Sequence, residues 1–198
     1  MGALQLLGSS SPRKLTELTP ETTRYFQKLP GYDTLRMVLA RKVVLVEGPS
    51  DEMIFERIFE DMFDKRPIEL GIDVLSIRGV SLGRCLELCA ALDKTVAAIR
   101  DNDGIDPAEL RVQLQQWIEG GRREVFIGPV EQGRTLEPQL RYHNSDQTLR
   151  KVIGITEATD LAGWMERNKT ECALRIADSM EAIQPPAYMR EAAAFIHG

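Results

Sequence analysis

The sequence predicts an α/β fold: a mainly parallel, Rossmann-type sheet with helices on both faces, followed by a helical annex. Two stretches carry this reading. Lys42 to Asp51 (K-V-V-L-V-E-G-P-S-D) and Thr95 to Gly104 (T-V-A-A-I-R-D-N-D-G) are short β-branched apolar runs that end in acidic residues and glycine. That is the pattern of a buried parallel strand delivering carboxylates into a turn at its carboxyl end. Strand-like and helix-like segments alternate between them, and a βαβαβ order implies parallel strands joined by right-handed crossovers. With 198 residues, 43% hydrophobic and 28% charged, the chain can build one domain with a sizeable core, or one domain with a small annex.

The elements follow in order. The first eleven residues are Gly/Ser-rich and expected to be disordered. Thr19-Pro20-Glu21 opens a helix that ends at Pro30-Gly31, and a second helical piece from Tyr32 to Ala40 leads into the strand at Val43. After Glu47, Ser50 is the expected N-cap of a helix whose apolar positions Ile54, Phe55, Ile58, Phe59, Met62 and Phe63 recur at helical spacing. Gly71 marks the turn into a second strand, Ile72 to Ile77, and Leu82 to Leu92 is a helix. Thr95 to Arg100 is the third strand, Ala108 to Ile118 a helix stopped by Gly120-Gly121, and Glu124 to Ile127 a fourth strand. Pro129, Gly133 and Pro138 then break the chain, and Gln139 to Ile196 is almost wholly helical in period. The expected organisation is a tail with lead-in helices over 1–41, the α/β unit over 42–137 and the annex over 138–198.

Composition narrows the function. A net charge of −5 and a pI near 5.2 argue against a protein that coats bare nucleic acid, because phosphate neutralisation calls for a basic face. The basic residues that bunch, Arg122-Arg123, Arg134 and Arg141, are the candidates for phosphate contact. Three cysteines, Cys85 and Cys89 four apart and Cys172 far from both, form no C-x-x-C and read as reduced, buried apolar residues. No apolar run approaches a membrane span, the N-terminal apolar segment is too short for a secretory signal, and a cytoplasmic location is the default expectation. There is no G-x-x-x-x-G-K-[ST], hence no P-loop ATPase within these residues.

Bringing Glu47, Asp51, Asp101 and Asp103 together at neighbouring strand ends sets like charges against one another, about 4 kcal/mol for two charges ~4 Å apart at an effective dielectric of 20. Hard oxygen donors without histidine or thiol suit magnesium, manganese or calcium better than zinc. An EF-hand is excluded, since Val112 stands where its bidentate glutamate belongs. A haloacid-dehalogenase-type phosphatase also uses D-x-D after an apolar strand, with the first aspartate as nucleophile, but places the motif on the first strand. Here it arrives third.

The pair of motifs resembles the Toprim domain of topoisomerases, bacterial primases, small nucleases and the OLD (overcoming lysogenization defect) nucleases. The family's strand-end E-G followed by a later D-x-D is matched by Glu47-Gly48 and by Asp101-Asn102-Asp103-Gly104, and the form V-E-G-P-S-D-E is closer to OLD proteins than to topoisomerases. Two downstream segments extend the resemblance, Thr135-Leu136-Glu137 and Asn168-Lys169-Thr170-Glu171. Read alone, Glu137 is a helix first-turn acid and Lys169 a solvated lysine. The resemblance implies more. Glu137 would join Glu47, Asp51, Asp101 and Asp103 as metal ligands for two divalent ions, Mg²⁺ or Mn²⁺ with Ca²⁺ as a non-catalytic occupant. Glu47 and Lys169 would be catalytic, the lysine facing the scissile phosphate. The implied activity is metal-dependent nicking and cleavage of DNA by an isolated C-terminal region, whose full-length relatives carry an N-terminal ATPase and use ATP. A topoisomerase would need a tyrosine nucleophile, and none of Tyr25, Tyr32, Tyr142 or Tyr188 sits in a winged-helix context. A primase-type enzyme and a non-catalytic Toprim module that binds DNA or a partner are the remaining readings.

Overall fold

The computed structural model describes residues 18–28, 32–79 and 81–198. Helices α1 (Pro20–Lys28) and α2 (Tyr32–Leu39) lead into β1 (Lys42–Val46). The chain continues through α3 (Pro49–Phe63), β2 (Ile72–Ser76), α4 (Leu82–Ala91), β3 (Thr95–Arg100), α5 (Pro107–Leu114) and β4 (Arg123–Ile127). Five further helices follow: α6 (Leu136–His143), α7 (Asp146–Ile153), α8 (Leu161–Arg167), α9 (Lys169–Asp178) and α10 (Ala187–His197). The expected disorder of the first eleven residues and the Pro30-Gly31 helix stop lie outside the described residues.

The four strands form one sheet in the order β2-β1-β3-β4, parallel at every pairing. Period-two alternation divides their side chains between two apolar layers. Val44, Val46, Ile72, Val74, Ala97 and Ile99 pack with α3 and the helices after β4. Val43, Leu45, Leu75, Val96, Ala98 and Val125 pack with α2, α4 and the end of α5. Burial on both faces is why the strands read as unbroken apolar runs.

The C-terminal helices share the sheet's core. Small residues Ala192 and Ala193, fully buried, let α10 lie close over β3, and Lys42 Nζ donates to the Ile196 and His197 carbonyls at its end, at 2.9 and 3.1 Å. Arg57 of α3 does the same for α9, donating to the carbonyls of Ile176 at 2.9 Å and of Ser179. Both arginine and lysine satisfy helix-end carbonyls that have no partner in their own helix.

Two boundaries differ from the sequence reading. The N-cap of α3 is Gly48, not Ser50, because Pro49 takes the first helical position and Asp51 accepts the Gly48 N–H at 2.9 Å. The helix expected through Ile118 ends at Leu114 and tightens into a 3₁₀ turn, Gln115–Trp117. That turn seats Trp117 against α4, where a Cβ on Gly83 would lie 2.9 Å from the indole.

Candidate active site

Strand order reverses between β1 and β3, since β1 is followed by a neighbour on one side and β3 lies on the other. In open α/β sheets such a switch point leaves a crevice outside the carboxyl ends of the strands. Leu45 pairs with Ala98, so Glu47, two residues past Leu45, sits level with Arg100. Its Oε1 is 3.8 Å from Arg100 Nε. Asp101 is the next residue on that neighbouring strand's path.

The other acids arrive from three directions. Asp51 is held at the head of α3 by the Gly48 N–H. Glu137, in the first turn of α6 and only 3% exposed, accepts from Thr135 Oγ1 at 3.0 Å and pairs with Lys169 Nζ at 3.0 Å. Lys169 opens α9, half exposed. Asp103 is exposed at φ 52°, a left-handed conformation that aspartate tolerates better than most residues. The residue between the two aspartates fixes the loop. Asn102 is fully buried, donates to the Gly128 and Gly133 carbonyls at 3.0 and 2.7 Å and accepts the Gly104 N–H at 2.8 Å, an Asx turn bolted to the segment before α6.

The electrostatics are those of crowded carboxylates. Burial, followed by the charges of Asp51 and Glu47, pushes Asp101 from its ordinary value of 3.8 up to about 8. Burial and the charges of Asp103 and Asp51 raise Glu47, against the opposing pull of Arg100. Asp51 is also raised, by burial first and Glu137 among the charges. Burial works against the charged form of Lys169, yet Glu137, Asp101 and Asp51 outweigh it and its pKa is raised. Tyr188 of α10 lies buried within reach of the same field: desolvation and then Asp101, Asp51, Glu137 and Glu47 raise it well above the usual phenol value.

This all-oxygen donor set suits a hard divalent cation in chemistry. Among the described residues, however, no three His, Cys, Asp or Glu side chains converge closely enough to form a coordination shell. Glu137 is turned to Lys169 and Thr135, and Asp51 to a backbone amide, rather than to a common centre.

Of the basic residues singled out from sequence, only Arg134 borders this loop. Its carbonyl accepts the Asp103 N–H at 3.2 Å, and its guanidinium lies 3.1 Å from where a Cβ on Gly104 would stand. Arg122 and Arg123 lie at the amino end of β4, the far end of that strand from the crevice, roughly 15 Å away at about 3.3 Å per strand residue. Arg123 is 7% exposed and spends its guanidinium on the Trp117 carbonyl at 2.9 Å and on Glu119, while Arg122 pairs with Asp93. Arg141 pairs with Asp146 at 3.3 Å. Sequence reasoning missed Arg100, Asn102 and Tyr188 near the site. Arg100 and Asn102 had a visible signal, a cation ending an apolar strand and an Asx residue inside a turn. Tyr188 had none, because only tertiary packing of α10 brings it in.

Comparison with known proteins agrees with this fold. Residues 38–103 match the family model described as overcoming lysogenization defect protein-like, TOPRIM domain. No curated protein matches the chain. Among solved structures, the C-terminal region of the Burkholderia pseudomallei OLD protein superposes with a TM-score of 0.61 at 22% identity, covering 79% of this chain and 97% of that one. The C-terminal region of the Xanthomonas campestris pv. campestris OLD protein gives 0.56 at 20% identity, covering 79% and 94%. At such identity the likeness is one of fold, and Glu137 and Lys169 lie beyond the matched family segment. Residues 38–103 are thus similar to an OLD-like Toprim domain, and the chain has the fold of an OLD C-terminal region.

Proposed function

We propose that the chain is a metal-dependent nuclease that hydrolyses phosphodiester bonds of DNA with two divalent ions, Mg²⁺ or Mn²⁺. OLD-like Toprim domains are generally nuclease-associated, and Toprim domains generally bind divalent metals. The observation that carries the reading is the gathering of Glu47, Asp51, Asp101 and Glu137 with a single lysine, Lys169, at the switch point of the sheet. Glu47 and the Asp101/Asp103 pair would hold one ion, and Asp51 and Glu137 the other with a share of that pair. Bound there, such ions supply an activated water and neutralise charge on the phosphate oxygens. Lys169, charged at neutral pH, adds a flexible positive charge where negative charge grows during attack on phosphorus. Its tether to buried Glu137 fixes the ammonium over the crevice. Asn102, whose amide donates to the Gly128 and Gly133 carbonyls, holds both aspartates in register and is not itself assigned to a metal ion.

The test is supercoiled plasmid incubated with the protein in Mg²⁺, Mn²⁺ or EDTA and resolved on a gel. Metal-dependent nicked, linear or degraded DNA is expected, lost in Glu47→Gln and Lys169→Ala. Cleavage by Glu47→Gln at the parent rate overturns the assignment. A ladder of relaxed topoisomers points instead to strand transfer, and unchanged plasmid in every metal, also with an OLD-type ATPase domain and ATP supplied, points to a non-catalytic module.

A further inference from the structure

A groove of about 500 Å³ runs from Glu47 along the other flank of the β3 carboxyl end, away from Glu137 and Lys169. Arg100 lines it beside Glu47, together with Gly79, Ser81, Gln113 and Trp117. Its volume falls in the range of roughly 300–1,000 Å³ that suits a small ligand or one nucleotide, and is far too small for a duplex. Trp117 is half-buried. The edge of its six-membered ring rests on Gly83, where a Cβ would stand only 2.9 Å from the indole, so glycine is what admits the ring to this position. The Arg100 guanidinium faces Glu47 at 3.8 Å, beyond hydrogen-bond length, and among the described residues its donors meet no acceptor, which leaves them open to an anion.

We infer that this groove is a subsite for one unpaired nucleotide of the DNA strand adjacent to the cleaved bond: the base stacks on Trp117 and its phosphate is met by Arg100. The inference rests on the nuclease reading for the word "cleaved" and deepens it, by naming a single strand, a frayed end or a flipped-out base as the form in which DNA enters. A base inside a duplex shows no free face to an indole, whereas an aromatic side chain beside a cation is the recurrent apparatus for unpaired nucleotides. The groove is continuous with the carboxylate crevice through Glu47, which borders both, so one strand can occupy the two at once. Gln113, exposed on the rim, is placed to hydrogen-bond a base edge.

The chain holds two tryptophans, Trp117 and Trp164, so the Trp164→Phe protein reports on Trp117 alone. Titrating it in EDTA with single-stranded oligothymidylate of roughly 12 nucleotides, within the span that such folds cover, should quench its fluorescence. A blunt hairpin duplex at equal concentration should quench it little. Trp117→Ala should weaken oligonucleotide affinity about 5- to 100-fold, Trp117→Phe should keep most of it, and Arg100→Ala should weaken it and lower the salt slope by about one. Gly83→Ala, which keeps the indole but displaces it, provides a second variant if Trp117→Ala melts early. Absence of quenching in the Trp164→Phe protein, or equal quenching by the duplex, overturns the subsite whatever happens to plasmid. Quenching with the variant losses but no cleavage in Mg²⁺ or Mn²⁺ leaves the subsite standing and sinks the nuclease reading. Cleavage by the parent with single-strand binding unchanged in Trp117→Ala does the reverse.

Discussion

The two edges of the sheet treat charge in opposite ways. At the amino edge a charged residue within one position of each strand's start is answered locally by protein. Lys42 caps α10, Asp73 holds Arg36 at 2.9 Å, and Lys94 donates to the carbonyls of Val38 in α2, at 2.7 Å, and of Ala40 just past it. Arg123 is spent on the Trp117 carbonyl and Glu119. At the carboxyl edge, Glu47, Asp51, Asp101 and Glu137 lie within one another's electrostatic field with Lys169 and Arg100 as the cations bordering them, and Asp101 is driven up to about 8. Folding gains nothing from leaving acids in each other's field. A charge conflict retained at one edge and resolved at the other marks where an external cation or phosphate belongs.

The largest expected effect tests the retained conflict. Glu47→Gln should lower DNA cleavage by about 10³-fold, the order seen when an electrostatic partner of a transition state is removed, while leaving the melting temperature at or above that of the parent. Timed plasmid assays with parallel melts separate the two. The matching change at the other edge, Arg123→Ala, should do the opposite. It removes a nearly buried guanidinium from the Trp117 and Lys94 carbonyls and from Glu119, and should cost about 2–4 kcal/mol of stability. At roughly 2–4 °C per kcal/mol for a chain of this size, that is several degrees in a thermal melt. Cleavage per folded molecule should be untouched.

Asp101→Asn sharpens the contrast through pH. A folded value of about 8 against an ordinary 3.8 means the folded state keeps a proton that the unfolded state releases. Stability from that proton is present below about pH 4 and is lost as pH rises toward 8. The metal-free parent should therefore lose stability across this window, and Asp101→Asn should be the more stable protein at pH 8, by roughly 1–3 kcal/mol. Mg²⁺ should flatten the parent's slope and leave the variant's unchanged. Melts in EDTA at several pH values decide it: a parent curve that is level between pH 5 and 8 removes the claim of unresolved repulsion.

How much of this was legible follows from what is local. Each paired carboxylate follows its own apolar strand, so the β1 and β3 motifs and the parallel sheet could be read from consecutive residues. Glu137 and Lys169 could not, because their chemistry depends on how α6 and α9 pack; only resemblance pointed to them. Arg122 and Arg123 part company for a geometric reason. Two adjacent arginines look like a basic patch, but side chains alternate at the start of a strand, and Arg123 turns inward while Arg122 pairs with Asp93. Asn102 was passed over as the spacer of a D-x-D, although its three hydrogen bonds keep both aspartates in place.

The smallest expected effect is the most demanding of the comparison. Arg122 and Asp93 form an ion pair with both side chains substantially exposed, and such pairs contribute about 0–1 kcal/mol. Arg122→Ala should therefore move the melt by no more than a degree or two and leave both DNA affinity and its salt slope unchanged. Arg134→Ala, whose guanidinium lies beside Gly104 in the aspartate loop, should weaken DNA binding and reduce the slope by about one if it meets a phosphate. Affinity measured at several salt concentrations for the two variants ranks the edges directly. If Arg122→Ala lowers affinity and slope as much as Arg134→Ala, DNA runs along the amino edge as well. The local pairing of charge there would then be a resting arrangement rather than a structural end, and the asymmetry between the two edges would lose its meaning.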